Sequence, residues 1–232
     1  KSDPLVLYNI WDAGSAKAVA DAGAKAVATG SWGVAAAQGF EDGEALPMAT
    51  SLQVAGSVVG AVDLPVSVDF EGGYAVAPAD VAANARMLRE TGAIGMNFED
   101  RIVGGTGLHS SADQAARIAA IRATVGPDFF INARTDVFFC GNKAQITELM
   151  EDAVARAVAY ADAGADGIFV PGLTDLELIA EFCAAQDLPV NVMRMGHTLS
   201  IDDLAKAGVA RISHGPGPYI TAMKALGAAA SN

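Results

Sequence analysis

The sequence predicts a (β/α)8 TIM barrel folded as one domain over residues 1–232, and three observations carry that prediction. The first is a recurring theme, in Asp21-Ala22-Gly23-Ala24-Lys25, Glu90-Thr91-Gly92-Ala93-Ile94, Asp162-Ala163-Gly164-Ala165-Asp166 and Lys206-Ala207-Gly208-Val209-Ala210. Each copy follows a helix-like segment and precedes a short apolar run, and glycine there can take the left-handed conformation that ends a helix. The second is a strand entry used twice, Asp63-Leu64-Pro65-Val66 and Asp187-Leu188-Pro189-Val190. The third is the count: eight short strand candidates alternate with eight helical segments, at close to the ~250 residues of such barrels. A doubly wound open sheet is the rival arrangement.

In chain order, strands are expected at 5–9, 25–29, 66–70, 94–98, 129–133, 167–170, 190–193 and 210–213, each a short β-branched or apolar run. Helices are expected near 14–22, 50–62, 78–91, 111–125, 144–163, 175–186, 200–207 and 217–229. Pro78 suits a first helical turn. Ser110-Ser111-Ala112-Asp113, Thr174-Asp175-Leu176-Glu177 and Ser200-Ile201-Asp202-Asp203 read as capping boxes. Ile146, Leu149, Met150, Ala153, Val154 and Ala157 form an apolar stripe at helical spacing. Gly215-Pro216-Gly217-Pro218 lies where barrels often bind phosphate, but its prolines remove donors, so a plain turn is expected.

The formal charge of −12 argues against nucleic acid or an anionic membrane as partner. No run of ~18 apolar residues is present. Two isolated cysteines, Cys140 and Cys183, and no signal-peptide pattern fit a reduced, cytoplasmic protein.

In a barrel the chemistry belongs at the C-terminal strand ends. There the sequence places Gly30-Ser31-Trp32, Asp69 with Glu71, Glu99 with Asp100 and Arg101, Arg134 with Asp136, Pro171-Gly172 and Arg194. On a continuing strand Asp69 and Glu71, two apart, would project together. Clustered carboxylates repel unless a cation sits among them, so Asp69, Glu71 and Glu99 read as oxygen ligands for Mg²⁺ or Mn²⁺. Asp42, in the long loop before the third strand, is a further candidate. The alternative is that these acids cap helices or pair with Arg101 and Arg134. Arg134 could fork onto a substrate carboxylate, or onto Asp136 or Glu99. Gly30, Ser31 and Trp32 offer backbone N–H groups for an oxyanion, and Asn191 joins them as a substrate-binding candidate. His109, in the glycine-rich loop after Glu99, is the candidate proton carrier, with weaker cases for His197 and His214.

Taken together, Asn9-Ile10-Trp11-Asp12-Ala13-Gly14-Ser15-Ala16, Thr29-Gly30-Ser31-Trp32-Gly33, Val68-Asp69-Phe70-Glu71-Gly72-Gly73-Tyr74, Asn97-Phe98-Glu99-Asp100-Arg101 and Ile131-Asn132-Ala133-Arg134-Thr135-Asp136 resemble the isocitrate lyase/phosphoenolpyruvate mutase superfamily along nearly the whole chain. The resemblance implies a Mg²⁺-dependent (β/α)8 enzyme that makes or breaks C–C or P–C bonds beside a 2-oxo acid through a metal-bound enolate. It implies Asp69 as the direct metal ligand, with Glu71, Glu99 and Asp42 acting through water, and Gly30–Trp32 as the cradle for the substrate's acid end. It implies Arg134 as the group that neutralises the enolate. It also implies a homodimer or homotetramer, with the last helix exchanged between subunits. Two features depart from that pattern. Gly104-Gly105-Thr106-Gly107 replaces the lyases' basic-Cys-Gly-His loop and the mutases' lysine and asparagine, and Pro171-Gly172 replaces the mutases' His and Ser pair.

The expected function is a lyase or decarboxylase acting on a small 2-oxo acid such as oxaloacetate, or a phosphonomutase-like enzyme. The alternative is a metal- and keto-acid-binding protein derived from the same family, motivated by the stripped loop.

Overall fold

The computed structural model describes residues 3–196 and 199–231 and shows a sheet of parallel strands wrapped by helices into a (β/α)8 barrel. The strands are β1 (Leu5–Leu7), β2 (Asn9–Ile10), β3 (Val27–Thr29), β4 (Val66–Asp69), β5 (Gly95–Glu99), β6 (Phe130–Arg134), β7 (Gly167–Phe169), β8 (Val190–Met193) and β9 (Arg211–Ser213). Their order is β1-β9-β8-β7-β6-β5-β4-β3-β2. The sheet's two ends, β1 and β2, are halves of one predicted strand, parted only by Tyr8. One half pairs with β9 and the other with β3, so the covalent chain itself closes the barrel.

Alternation along each strand divides the two environments. In β5, Met96 and Phe98 join the apolar core under the helices, while Asn97 and Glu99 turn inward. β6 runs in the same phase, with Ile131 and Ala133 in the core and Asn132 and Arg134 inside. The barrel interior is therefore built of amides rather than the usual branched aliphatics. Asn132 Nδ2 donates to Asn97 Oδ1 at 2.8 Å and to Asn191 Oδ1 at 3.1 Å. Asn9 ties the two ends together: its Oδ1 accepts from the His214 and Gly215 N–H groups at 2.7 and 2.9 Å.

The helices are α1 (Ala13–Asp21), α2 (Ser31–Ala37), α3 (Met48–Val59), α4 (Pro78–Glu90), α5 (Ser111–Val125), α6 (Val137–Cys140), α7 (Ile146–Asp162), α8 (Leu176–Ala185), α9 (Ile201–Lys206) and α10 (Gly217–Ala230). Ser110 and Ser200 cap α5 and α9 as the sequence suggests. At α8 the cap is Asp175 rather than Thr174, because the Asp175 carboxylate reaches the N–H groups of Glu177 and Leu178. Two short helices, α2 and α6, were not expected, and both sit directly after strands that bear site residues. The segment read as a plain turn at 215–218 contains the start of α10, with Pro216 at its N-cap. No helix among the described residues is long and apolar enough to cross a membrane.

Candidate active site

At the C-terminal strand ends lies a cavity of about 200 Å³. Gly30, Ser31, Trp32, Asp42, Asp69 and Arg134 line it, together with Asn9, Asn97 and Ser213, and Phe139, Phe169, Pro171 and Met193 give it an apolar wall. A Cβ at Gly30 would make only ordinary contacts with Asn9 and Gly215, so its place at the cavity wall is not forced by space.

Asp69 ends β4 and is held from two sides. Its Oδ2 accepts the Ser31 N–H at 3.1 Å, and its Oδ1 accepts Asn97 Nδ2 at 3.3 Å. Asn97 can present that donor because its own oxygen already receives Asn132 and, at 3.3 Å, Arg211. The expected cradle at 30–32 is thus the first turn of α2, and its Ser31 N–H is directed at Asp69.

Glu71 does not follow Asp69 by strand alternation. The strand stops at Asp69, and Glu71 adopts φ 50°, in the left-handed region. Glu44 (φ 58°) and Tyr74 (φ 57°) share that conformation, at ~1–3 kcal/mol each. The three are laced together: the Glu44 N–H donates to Glu71 Oε2 at 2.7 Å, and the Tyr74 N–H to Glu44 Oε1 at 2.8 Å. Gly72 permits this, since a Cβ on it would meet Glu44 Oε1 at 3.0 Å. Glu71 therefore lies behind the cavity with Tyr74 and Ser51, and Asp69 borders both spaces. Glu44 is an acid of this cluster that the sequence reading missed.

Arg134 lies directly across from Glu99 in the β5–β6 register. It pairs with Glu99 Oε2 through NH1 at 2.9 Å and forks onto Asp136 at 2.7 and 2.9 Å. The fork expected for substrate is thus taken by Asp136, and Glu99 pairs with the same guanidinium through its charge. Burial raises the Glu99 carboxyl against the opposing pull of Arg134, and Asp136, Asp69 and Glu71 raise it further. The acids around Arg134 hold its own pKa above the ordinary value despite burial.

Two expected site residues are elsewhere. Asn191 is wholly buried beneath the cavity, with its Nδ2 donating to the Val192 and Arg211 carbonyls and its oxygen taken by Asn132, so it is corrected to a framework residue. His109 does not line the cavity; its N–H is fixed to the Asp100 carbonyl at 2.8 Å and its own carbonyl to Arg156 at 2.9 Å. The charges acting on its ring are Arg117, Asp100 and Asp113, on the α5 side, so the proton-carrier role is not supported by this placement. The loop before it is tied off by the Arg101–Leu108 bridge. His214 lies outside the cavity beside Tyr8, and His197 falls outside the described residues. Asp100, expected with the site acids, is a structural ion-pair partner of Arg156.

Among the described residues no three His, Cys, Asp or Glu side chains converge closely enough to hold a metal directly. Mg²⁺ keeps several waters and needs only one or two carboxylates, so the all-oxygen set still fits an ion held by Asp69. Glu71, Glu99 and the exposed Asp42 would then reach it through water. The acids of this cluster also shift one another. Burial, then repulsion from Asp42 and Asp69, pushes Glu71 from 4.5 up to about 8, and burial and Asp69 raise Asp42.

These shifts predict a pH dependence. Between 4.5 and about 8 the folded chain holds a proton on Glu71 that the unfolded chain has released. The contribution is therefore complete below the lower value and is lost as pH rises through the upper one. In thermal denaturation with EDTA, Tm should fall between about pH 4.5 and about pH 8 and level off above that, and Mg²⁺ should reverse most of the fall. Glu71→Gln should flatten the metal-free curve; an unchanged slope would count against the assignment.

A family model described as phosphoenolpyruvate phosphomutase matches residues 1–232. A solved structure from Burkholderia cenocepacia J2315 that carries a provisional phosphonomutase name is 53% identical, with a TM-score of 0.95, covering 99% of this chain and 94% of that one. The 2-methylisocitrate lyase of Escherichia coli K12 is 30% identical, covering 90% of this chain and 73% of that protein. The oxaloacetate decarboxylase of Pseudomonas syringae pv. tomato is 32% identical over 70% of this chain and 56% of its own length.

Proposed function

The chain belongs to the phosphoenolpyruvate phosphomutase family, and from that premise we propose that it is a Mg²⁺- or Mn²⁺-dependent decarboxylase of a small 2-oxo diacid such as oxaloacetate. The observation that carries this reading is Asp69 and Arg134 lining one small cavity at the strand ends. A divalent ion held by Asp69 would supply a Lewis acid for the substrate's carboxylate and keto oxygens. Arg134 lines the cavity and has N–H donors beyond the two that Asp136 accepts, to bind the oxygen on which negative charge develops. The apolar wall of Phe139, Phe169, Pro171 and Met193 lowers the local dielectric and strengthens both interactions. As the C3–C4 bond breaks, its electron pair passes into the enolate, CO₂ departs, and solvent water protonates C3.

The cavity favours this chemistry over its relatives' reactions. Among the described lining residues there is no His, Cys, Lys or Tyr. Cleavage of a 2-hydroxy tricarboxylate needs a base for the hydroxyl proton and an acid for the departing carbanion. Loss of CO₂ from a 3-carboxy-2-oxo acid needs neither while the bond breaks. A dianionic phosphonate would call for more cations than Arg134, which Glu99 and Asp136 already engage.

The test is a panel of oxaloacetate, 2-methylisocitrate and phosphonopyruvate, with Mg²⁺ and with EDTA. Mg²⁺-dependent conversion of oxaloacetate to pyruvate is expected, with little turnover of the others. Binding without turnover of any of them would support a non-catalytic keto-acid-binding protein, the reading that the tied-off 101–108 loop favours. The proposal extends to a cytoplasmic homodimer or homotetramer. Supporting assembly, α10 leaves Met223 and Leu226 exposed, and of its residues only Pro218 is buried.

A further inference from the structure

The opposite, N-terminal end of the barrel holds a second cavity, of about 330 Å³. Its walls are apolar, from Leu5, Val27, Pro65, Phe130 and Pro189, and its rim carries Ile94, which is 47% exposed. No Asp or Glu is among its described lining residues. Its one buried charge is Arg211, the first residue of β9, which is 8% exposed.

Arg211 is poorly satisfied for a buried guanidinium. Its NH2 makes two bonds, to Ser67 Oγ and Asn97 Oδ1, both at the long distance of 3.3 Å. Its Nε is buried with no hydrogen-bond partner, and no carboxylate among the described residues pairs with it. The other buried arginines are better placed. Arg134 has Glu99 and Asp136, and Arg156 has Asp100 and Asp152. Arg117 shares the unpartnered Nε and lacks a carboxylate, but it makes three short bonds, to Gln114 and to the Gly72 and Ala75 carbonyls, at 2.5, 2.5 and 2.9 Å. Asp69 is the one acid that acts on Arg211, from beyond the Asn97 amide. Burial draws the guanidinium down to about 10, so it stays charged at neutral pH. A buried charge without a counter-ion is costly, and a cavity beside it leaves room for one.

We propose that this cavity is a binding site for a small organic monocarboxylate, with its carboxylate on Arg211 and its alkyl chain against the apolar walls. One negative charge matches the one unpaired cation. A diacid or a multiply charged inorganic anion would press its second charge against Leu5, Val27 and Phe130, with only Lys25, exposed on the cavity's edge and already paired with Asp3, to meet it. The two ends of the barrel thus select opposite ligands: diacids with a metal at the mouth, monoacids without one at the base. The Lys25–Asp3 pair at the outer rim is exposed and adds little.

Calorimetric titration of the full chain with butyrate and hexanoate, in EDTA and constant chloride, tests this. One binding event per chain is expected, stronger for hexanoate. Arg211→Gln should weaken it ~30-fold or more by removing one partner of a buried charge pair. Ile94→Asp alters a side chain that is 47% exposed, and should also weaken binding by putting like charge at the entrance. It decides the matter if Arg211→Gln fails to fold. Arg134→Gln should bind hexanoate as the parent does, which separates this site from the catalytic cavity. Absence of hexanoate binding, equal affinity in the Ile94→Asp protein, loss in the Arg134→Gln protein, or displacement by modest added chloride would each overturn the proposal.

Discussion

Asp69→Asn should lower kcat/KM for oxaloacetate by at least ~10²-fold and weaken Mg²⁺ binding by a similar factor, while the protein stays folded. The substitution keeps the shape of the side chain and removes its charge. The charge matters because Asp69 is the carboxylate that borders the catalytic cavity at the end of β4, with both oxygens held by Ser31 and Asn97. A purely structural Asp69 predicts the opposite pattern, in which activity falls only as far as stability does. The charge on Asp69 raises its neighbours Asp42 and Glu71, so it costs the metal-free fold stability. The Asp69→Asn protein in EDTA should therefore be at least as stable as the parent near pH 8, where Glu71 would otherwise begin to ionise against it. Turnover within ~10-fold of the parent would remove Asp69 from the chemistry, and with it the proposed function.

The barrel was legible because its cues are local. A glycine that ends a helix and an apolar run that starts a strand lie within a few residues of each other, and Gly23, Gly92, Gly164 and Gly208 all have positive φ as a helix stop requires. The pairing of Glu99 with Arg134 was legible as one of two alternatives, since both end neighbouring strands. The rest depends on contacts the sequence does not announce. α2 and α6 are 7 and 4 residues long, too short for a periodic stripe to show. Glu44 enters the acid cluster only because it and Glu71 take left-handed backbone, which alternation rules do not foresee. Asn191, a substrate-binding candidate in the sequence, is used inside the barrel to hold Asn132, and through it Asn97. His109 was drawn to the site by its loop. Its backbone is anchored instead to Asp100 and Arg156.

That anchor carries the second large effect. Asp100→Ala should destabilise the protein by ~3–5 kcal/mol, the cost of leaving a buried partner charge uncompensated. Asp100 has no exposed surface, and its Oδ2 accepts from Arg156 NH1 at 3.1 Å and the Tyr160 hydroxyl at 2.8 Å. Removing it strands a guanidinium whose remaining carboxylate, Asp152, is half exposed. For a chain of this length the loss corresponds to a fall in Tm of roughly 10 °C. The consequences reach the catalytic cavity. Asp100 Oδ1 also fixes the Asp136 N–H at 3.0 Å, and Asp136 is the acid that orients Arg134. Below the new Tm, the folded Asp100→Ala enzyme should thus show a reduced kcat even though Asp100 does not line the cavity. Pairing Asp100→Ala with Arg156→Met distinguishes a buried ion pair from a loose packing defect. If the stranded charge is the cause, the double variant should be more stable than Asp100→Ala alone, because no guanidinium is left unpaired. Additive losses in urea titrations would show instead that the two side chains act independently, and that the Asp136 contact alone accounts for the role of Asp100.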